Sequence, residues 1–117
     1  MSNKNSQQIG SSGENLAAAH LEQMGYEIVE RNYRYSRSEI DIIALKQNEL
    51  LIFVEVKKRT NLAFGEPETF VSNDQKQRIM AAAESYIFAI NWKKDIRFDI
   101  ISIDQEDQLL HIKDAFY

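Results

Sequence analysis

Two short aliphatic runs, residues 40–45 and 50–56, stand four residues apart, with Lys46, Gln47, Asn48 and Glu49 between them. Runs of that length and composition separated by a polar turn predict a β-hairpin. Within them the acidic interruptions are Asp41 and Glu55, flanked by EIDIIA at 39–44 and FVEVK at 53–57. Flanks this apolar predict central strands covered on both sides, where an isolated charge is costly without a partner or a cation. The fold must therefore be built around a hairpin that carries charge into its own interior.

The remaining elements arrange themselves around this hairpin. A helix is predicted to begin at Ser11 or Ser12, with Ala17, Ala18, Leu21 and Met24 at helical spacing and Gly25 as its stop. Residues 26–34 alternate as a strand, and Asn61, Gly65 and Pro67 mark one long loop after the hairpin. Ser72 or Asn73 can cap a long second helix whose apolar face is read as Ile79, Met80, Ala83, Ile87 and Ile90. Residues 96–103 and 109–112 complete the chain as strands. The order α-β-β-β-α-β-β predicts an α/β fold, a mixed sheet of about five strands flanked by helices. At 117 residues without repeat or linker, the chain reads as one domain over 11–117 after a disordered tail, 1–10.

Composition removes several classes of function. There is no cysteine, which excludes a disulfide scaffold, a thiolate nucleophile and a cysteine zinc site. The two histidines, His20 and His111, are far apart in sequence and lack metal-ligand spacing. The longest apolar run is five residues, 50–54, too short to span a membrane, and the polar start has no signal-peptide core, so a cytoplasmic location is expected. The net charge of −4 argues against nucleic acid, but residues 31–59 carry seven basic groups against four acidic ones. That local basic zone can bind phosphate.

Strand alternation puts Glu39 and Asp41 on one face of the first hairpin strand and Ile40, Ile42 and Ala44 on the other. On the second strand Glu55 and Lys57 share a face, so pairing brings Asp41, Glu55 and Lys57 towards one place. A carboxylate pair suits Mg²⁺, and a lysine beside it could orient water and offset phosphoryl charge. The plainer alternative is a solvated polar strand face. Glu14 shares the inward face of the first helix with Ala18 and Leu21, and equally completes a capping box with Ser11. Lys76, above Met80, Ala83 and Ile87, sits where its charge opposes the helix dipole, unless an anion comes near. Tyr33 and Tyr35, interleaved with Arg31, Arg34 and Arg37, suit alternating phosphate pairing and stacking, although an edge strand protected by charge would look the same. Tyr86, Phe88 and Trp92 read as core.

These residues carry a resemblance. GENLA at 13–17, LEQMGY at 21–26, RNYR at 31–34, EIDIIA at 39–44, FVEVKKR at 53–59, KQRI at 76–79 and RFD at 97–99 resemble the YraN-like family of predicted endonucleases. The motifs run in order from Gly13 to Ile103. That family is similar to the PD-(D/E)xK, restriction-endonuclease-like superfamily and to archaeal Holliday-junction resolvases. The resemblance implies a restriction-endonuclease-like mixed sheet and a phosphodiesterase dependent on Mg²⁺ or Mn²⁺. Asp41 and Glu55 would hold the metal with the Val56 carbonyl, Lys57 would position the attacking water, and Glu14 would match a metal-site glutamate on the first helix. Lys76, with Gln75 or Gln77, would match a site-facing position, and Arg34, Arg37 and Arg59 would contact nucleic acid. One departure is Ser38, which stands where the family pattern has glycine; serine could not hold a positive φ there without strain.

The leading expectation is an endonuclease acting on DNA, branched DNA included, with a resolvase-like homodimer as one arrangement. The alternatives are a nucleic-acid-binding module of the same fold without turnover, and a structural protein that binds a partner through its acidic remainder.

Overall fold

A computed structural model describes residues 12–59 and 72–115. Two helices and five strands follow in the order α1 (Ser12–Gln23), β1 (Tyr26–Tyr35), β2 (Ser38–Lys46), β3 (Leu50–Lys58), α2 (Asn73–Ile90), β4 (Asp95–Ile103) and β5 (Leu109–Ile112). The α/β class and the element order are those expected. The tail at 1–10 and the loop around Pro67 lie outside the described residues.

The sheet order is β1-β2-β3-β4-β5, with β3 and β4 parallel and every other pair antiparallel. The parallel pair is joined through α2, because a parallel return needs a long crossover. Helix α1 packs Ala17, Ala18 and Leu21 on one face of the sheet, against Ile42, Ala44, Ile52, Val54, Ile101 and Ile103. Helix α2 packs Ile79, Ala82, Ala83 and Tyr86 on the other, against Ile40, Ile43, Leu51, Phe53, Phe98 and Ile100. Both faces of the central strands are thus covered, which explains why β2 and β3 read as nearly unbroken apolar runs.

Local chemistry sets the ends of the elements. Gly25, at φ +94°, stops α1, and an added Cβ on Gly13 would come within 2.9 Å of Lys58 Cε, the mobile end of a side chain that can move aside. Ser72 caps α2 by accepting from the Gln75 N–H at 3.1 Å, and Asn91 in the left-handed region closes its far end. The β2–β3 turn is the three residues Gln47, Asn48 and Glu49, one fewer than expected, because β2 runs on to Lys46.

Three sequence expectations are corrected. On α2, Met80 and Ile90 are exposed, while Ala82, which helical spacing alone had passed over, is buried beside Tyr86, which was read as core. Phe88, expected in the core, is 89% exposed. His20 and His111, 91 residues apart in sequence, meet across the α1 face with Nε2 and Nδ1 at 3.2 Å.

That histidine pair ends a buried polar chain. Asp99, fully buried on β4, accepts two bonds from Arg97 (2.8 Å each) and one from the Asp114 N–H (3.0 Å), and its Oδ2 pairs with His111 Nε2 at 2.8 Å. Arg97 also donates to the Tyr26 hydroxyl at 2.8 Å. Burial pushes the Asp99 carboxyl up, but the bonds from Arg97, His111 and Asp114 outweigh it and hold it below the usual carboxylate range. Burial, together with His111 and Lys113, holds the His20 ring below its ordinary value.

Candidate active site

The site forms where the central hairpin stops pairing. The β2–β3 ladder runs from Lys46↔Leu50 to Ile42↔Val54 and ends there. Beyond it, strict alternation fails. Ile40 packs with Ile43 on the α2 side while Ile42 and Ala44 pack on the α1 side, so the expected grouping of Ile40, Ile42 and Ala44 on one face is corrected. The irregularity turns Asp41 towards β3, where its Oδ2 accepts from the Val56 N–H at 2.7 Å. A side-chain oxygen satisfies the amide where strand pairing has ended, and in doing so it brings the Asp41 carboxylate beside Glu55.

The two carboxyls line the same pocket, close enough to act on each other electrostatically. Burial first, and then the neighbouring Asp41 carboxyl, push Glu55 up to about 8, against a smaller pull downwards from the Lys57 ammonium. At neutral pH Glu55 therefore favours its protonated form. Lys57 lies two residues further along β3, within electrostatic reach of Glu55, as expected from alternation.

Glu14, in the first turn of α1, approaches from the side. Burial and the Asp41 charge raise its pKa, opposed by Arg31 and by a hydrogen bond from Asn32. Its Oε1 is buried without a hydrogen bond, and Arg31 Nη2 is no nearer than 3.9 Å. The carboxylate thus lies within electrostatic reach of Asp41 and has one oxygen to spare.

An open pocket of about 350 Å³ surrounds the pair, lined by Arg37, Ser38, Glu39, Asp41, Glu55, Gln75, Arg78 and Ile79. Gln75 and Arg37 line it as anticipated. Lys76 and Gln77 do not; the α2 residue that reaches in beside Gln75 is Arg78, one helical turn on, and Arg78 was missed. The signal was present in the sequence, since i and i+3 share a helix face. Arg34 is exposed and pairs with Glu39 at 3.6 Å. Arg59 lies elsewhere, beside Ser12 and Asp104 in a separate pocket. Of Val56, the amide rather than the carbonyl meets Asp41. The left-handed residue of the β1–β2 turn is Ser36 (φ 58°), so Ser38 is spared the strain anticipated for it.

The donors present suit a hard divalent cation. A buried Glu14 oxygen without a hydrogen bond, and two carboxyls lining one pocket, mark a place that positive charge would stabilise. Among the described residues no three His, Asp or Glu side chains form a ready cage.

A family model described as "Uncharacterised protein family UPF0102" matches residues 13–103, the span over which the sequence motifs run. The chain belongs to this family. A UPF0102 protein of Cytophaga hutchinsonii is 43% identical over 92% of this chain and 95% of its own. One of Bacteroides thetaiotaomicron is 43% identical over 94% and 93%. Another, from Caldanaerobacter subterraneus, is 40% identical over 99% and 100%. The match to these UPF0102 relatives therefore runs over nearly the whole length of the chain. A solved structure, that of Pyrococcus furiosus SfsA in complex with Ca²⁺, covers 93% of this chain and 63% of that one at 15% identity. Its TM-score of 0.35 is too low to bear on function.

Proposed function

We propose that this UPF0102 protein is a metal-dependent endonuclease of the PD-(D/E)xK type, hydrolysing phosphodiester bonds in DNA. The observation that carries the reading is that Asp41 and Glu55 line one pocket where the central hairpin splays, with Lys57 next along the strand. Two carboxyls forced together at the rim of a buried sheet are costly unless a cation is meant to join them. Asp41 and Glu55 are the residues that would hold Mg²⁺ or Mn²⁺, with Glu14 Oε1 in reserve on the α1 side. When bound, the ion supplies positive charge beside the scissile phosphate and makes a water more acidic.

The chain's own groups do the rest. The Lys57 ammonium donates to the attacking water and steadies its lone pair, and its charge offsets that gathering on the phosphoryl oxygens. Arg37 and Arg78 hold the strand by its phosphates, and Gln75 offers an amide to the sugar or phosphate. Asp41 keeps its orientation through the Val56 amide.

The test compares wild type with Asp41→Ala and Lys57→Ala on labelled linear, flapped and four-way DNA, in Mg²⁺, in Mn²⁺ and in EDTA. The expected outcome is cutting that needs metal and falls by about two orders of magnitude or more in either variant, with circular dichroism and melting unchanged for Lys57→Ala. Equal cutting by variant and wild type overturns the reading. Salt-dependent retention of DNA without product under either metal replaces it with the binding module.

A further inference from the structure

The carboxylate pocket has a neighbour. A second open depression, of about 430 Å³, is walled by Tyr35, Arg37, Ser38, Asp74, Arg78 and Ala81 among others. Arg37, Ser38 and Arg78 line both, so the two adjoin across a shared wall that carries two guanidinium groups. Neither guanidinium has a hydrogen bond or ion pair among the described residues. Two unpaired arginines on a wall shared by two pockets offer charge-assisted donors to a phosphate.

Tyr35 supplies a second kind of contact. Three other tyrosines of the described residues have structural work: Tyr26 and Tyr86 are buried, and the Tyr33 hydroxyl meets Ser85 at 2.9 Å while its ring packs edge-on against Tyr86. Tyr35 is 46% exposed at the tip of the β1–β2 hairpin, where Ser36 at φ 58° turns the chain back and presents Tyr35 and Arg37 on either side. An exposed aromatic ring beside those guanidinium groups is a stacking surface. Asp74 on the rim disfavours a second phosphate and can accept from a base amino group or a sugar hydroxyl.

We propose that this depression is a nucleotide subsite for an unpaired residue, with its phosphate between Arg37 and Arg78 and its base stacked on Tyr35. A base inside a duplex has both faces covered by its neighbours, so only an unpaired or extruded one can reach the ring. The inference rests on the nuclease reading for the direction of the strand, and it deepens that reading. The preferred substrate is a single strand, or a flap or gap that offers one, rather than uninterrupted duplex.

Binding separates the two ideas. Fluorescence anisotropy in EDTA would compare a labelled single-stranded DNA, a single-stranded RNA of the same sequence and the matching DNA duplex, for wild type, Tyr35→Ala, Tyr35→Phe and Arg78→Ala. Single strands should bind more tightly than duplex. Tyr35→Ala should lose about tenfold on them with duplex unchanged, and Tyr35→Phe should restore the loss. Arg78→Ala should weaken every ligand and lower the log–log salt slope by about one. The stronger of the DNA and RNA arms identifies the natural strand. Equal affinity for single strand and duplex, no effect of Tyr35→Ala, or no binding to any ligand overturns the subsite. Metal-dependent cutting with no Tyr35 effect leaves the nuclease and removes the subsite; Tyr35-dependent binding without cutting does the reverse.

Discussion

Asp99 shows how much one buried side chain can organise. It is closed off from solvent, yet its two oxygens take bonds from Arg97, His111 and the Asp114 amide, joining β4 to β5 and, through Tyr26 and His20, to the α1 side. Removing its charge strands the Arg97 guanidinium in a partly buried place. Asp99→Asn should therefore cost about 3–5 kcal/mol in urea unfolding. The pH dependence has a definite sign. Because the folded-state pKa is depressed, Asp99 contributes stability above its unfolded value of 3.8, and that contribution is lost as pH falls below it through the folded value. Urea midpoints for wild type should drop between about pH 5 and pH 2, and this component of the drop should be absent in Asp99→Asn. An unchanged pH profile in the variant would remove Asp99 as its source. Glu55 has the opposite shift: burial first, and then the neighbouring Asp41 carboxyl, raise it, so the folded state holds on to a proton.

At the scale of elements, α2 combines a firm start with an uneven face. The Ser72 cap satisfies an amide that would otherwise face solvent unpaired, and Ser72→Ala should lower stability by about 1 kcal/mol, read as a shift in thermal midpoint. The capped turn carries Gln75, which lines the carboxylate pocket, so under the proposed function the same variant should weaken nucleic-acid binding; binding at full wild-type strength would separate cap from site. The other end of the helix behaves differently. Phe88 is 89% exposed, whereas Phe53 is fully buried and packs on Phe98 and Tyr86. Phe88→Ala should change stability by no more than about 0.5 kcal/mol, and Phe53→Ala should cost about 3–5 kcal/mol. Paired denaturation curves check the contrast, which two equal losses would refute.

Across the whole molecule, charge is unevenly spread: −4 overall, yet net positive over residues 31–59. The arginines that face the carboxylate pocket, Arg37 and Arg78, come from the β1–β2 hairpin and from α2, on either side of the acid pair. Under the proposed function, nucleic acid should thus be held by few contacts against a repelling remainder. The log–log salt slope should be no steeper than a few units, and a steep slope typical of a wholly basic domain would refute this picture. No helix of the described residues is long and apolar enough to cross a membrane.

Hydrophobic period, turn residues and caps are local, so the order of helices and strands, the Gly25 stop, the Ser72 cap and the covered hairpin are all legible in the amino-acid sequence. So is the shared face of Glu55 and Lys57, because side chains along one strand alternate. What depended on tertiary structure was everything set by a second surface. The sheet chose Ala82 over Met80 and Ile90, since a helix turns about its axis to fit its partner. The end of the β2–β3 ladder broke the alternation at Ile40 and aimed Asp41 at an amide on the next strand. Packing brought His20 to His111, and the pitch of α2 put Arg78 rather than Lys76 over the site. Periodicity says which residues can share a face; only contact with another element decides which face is used.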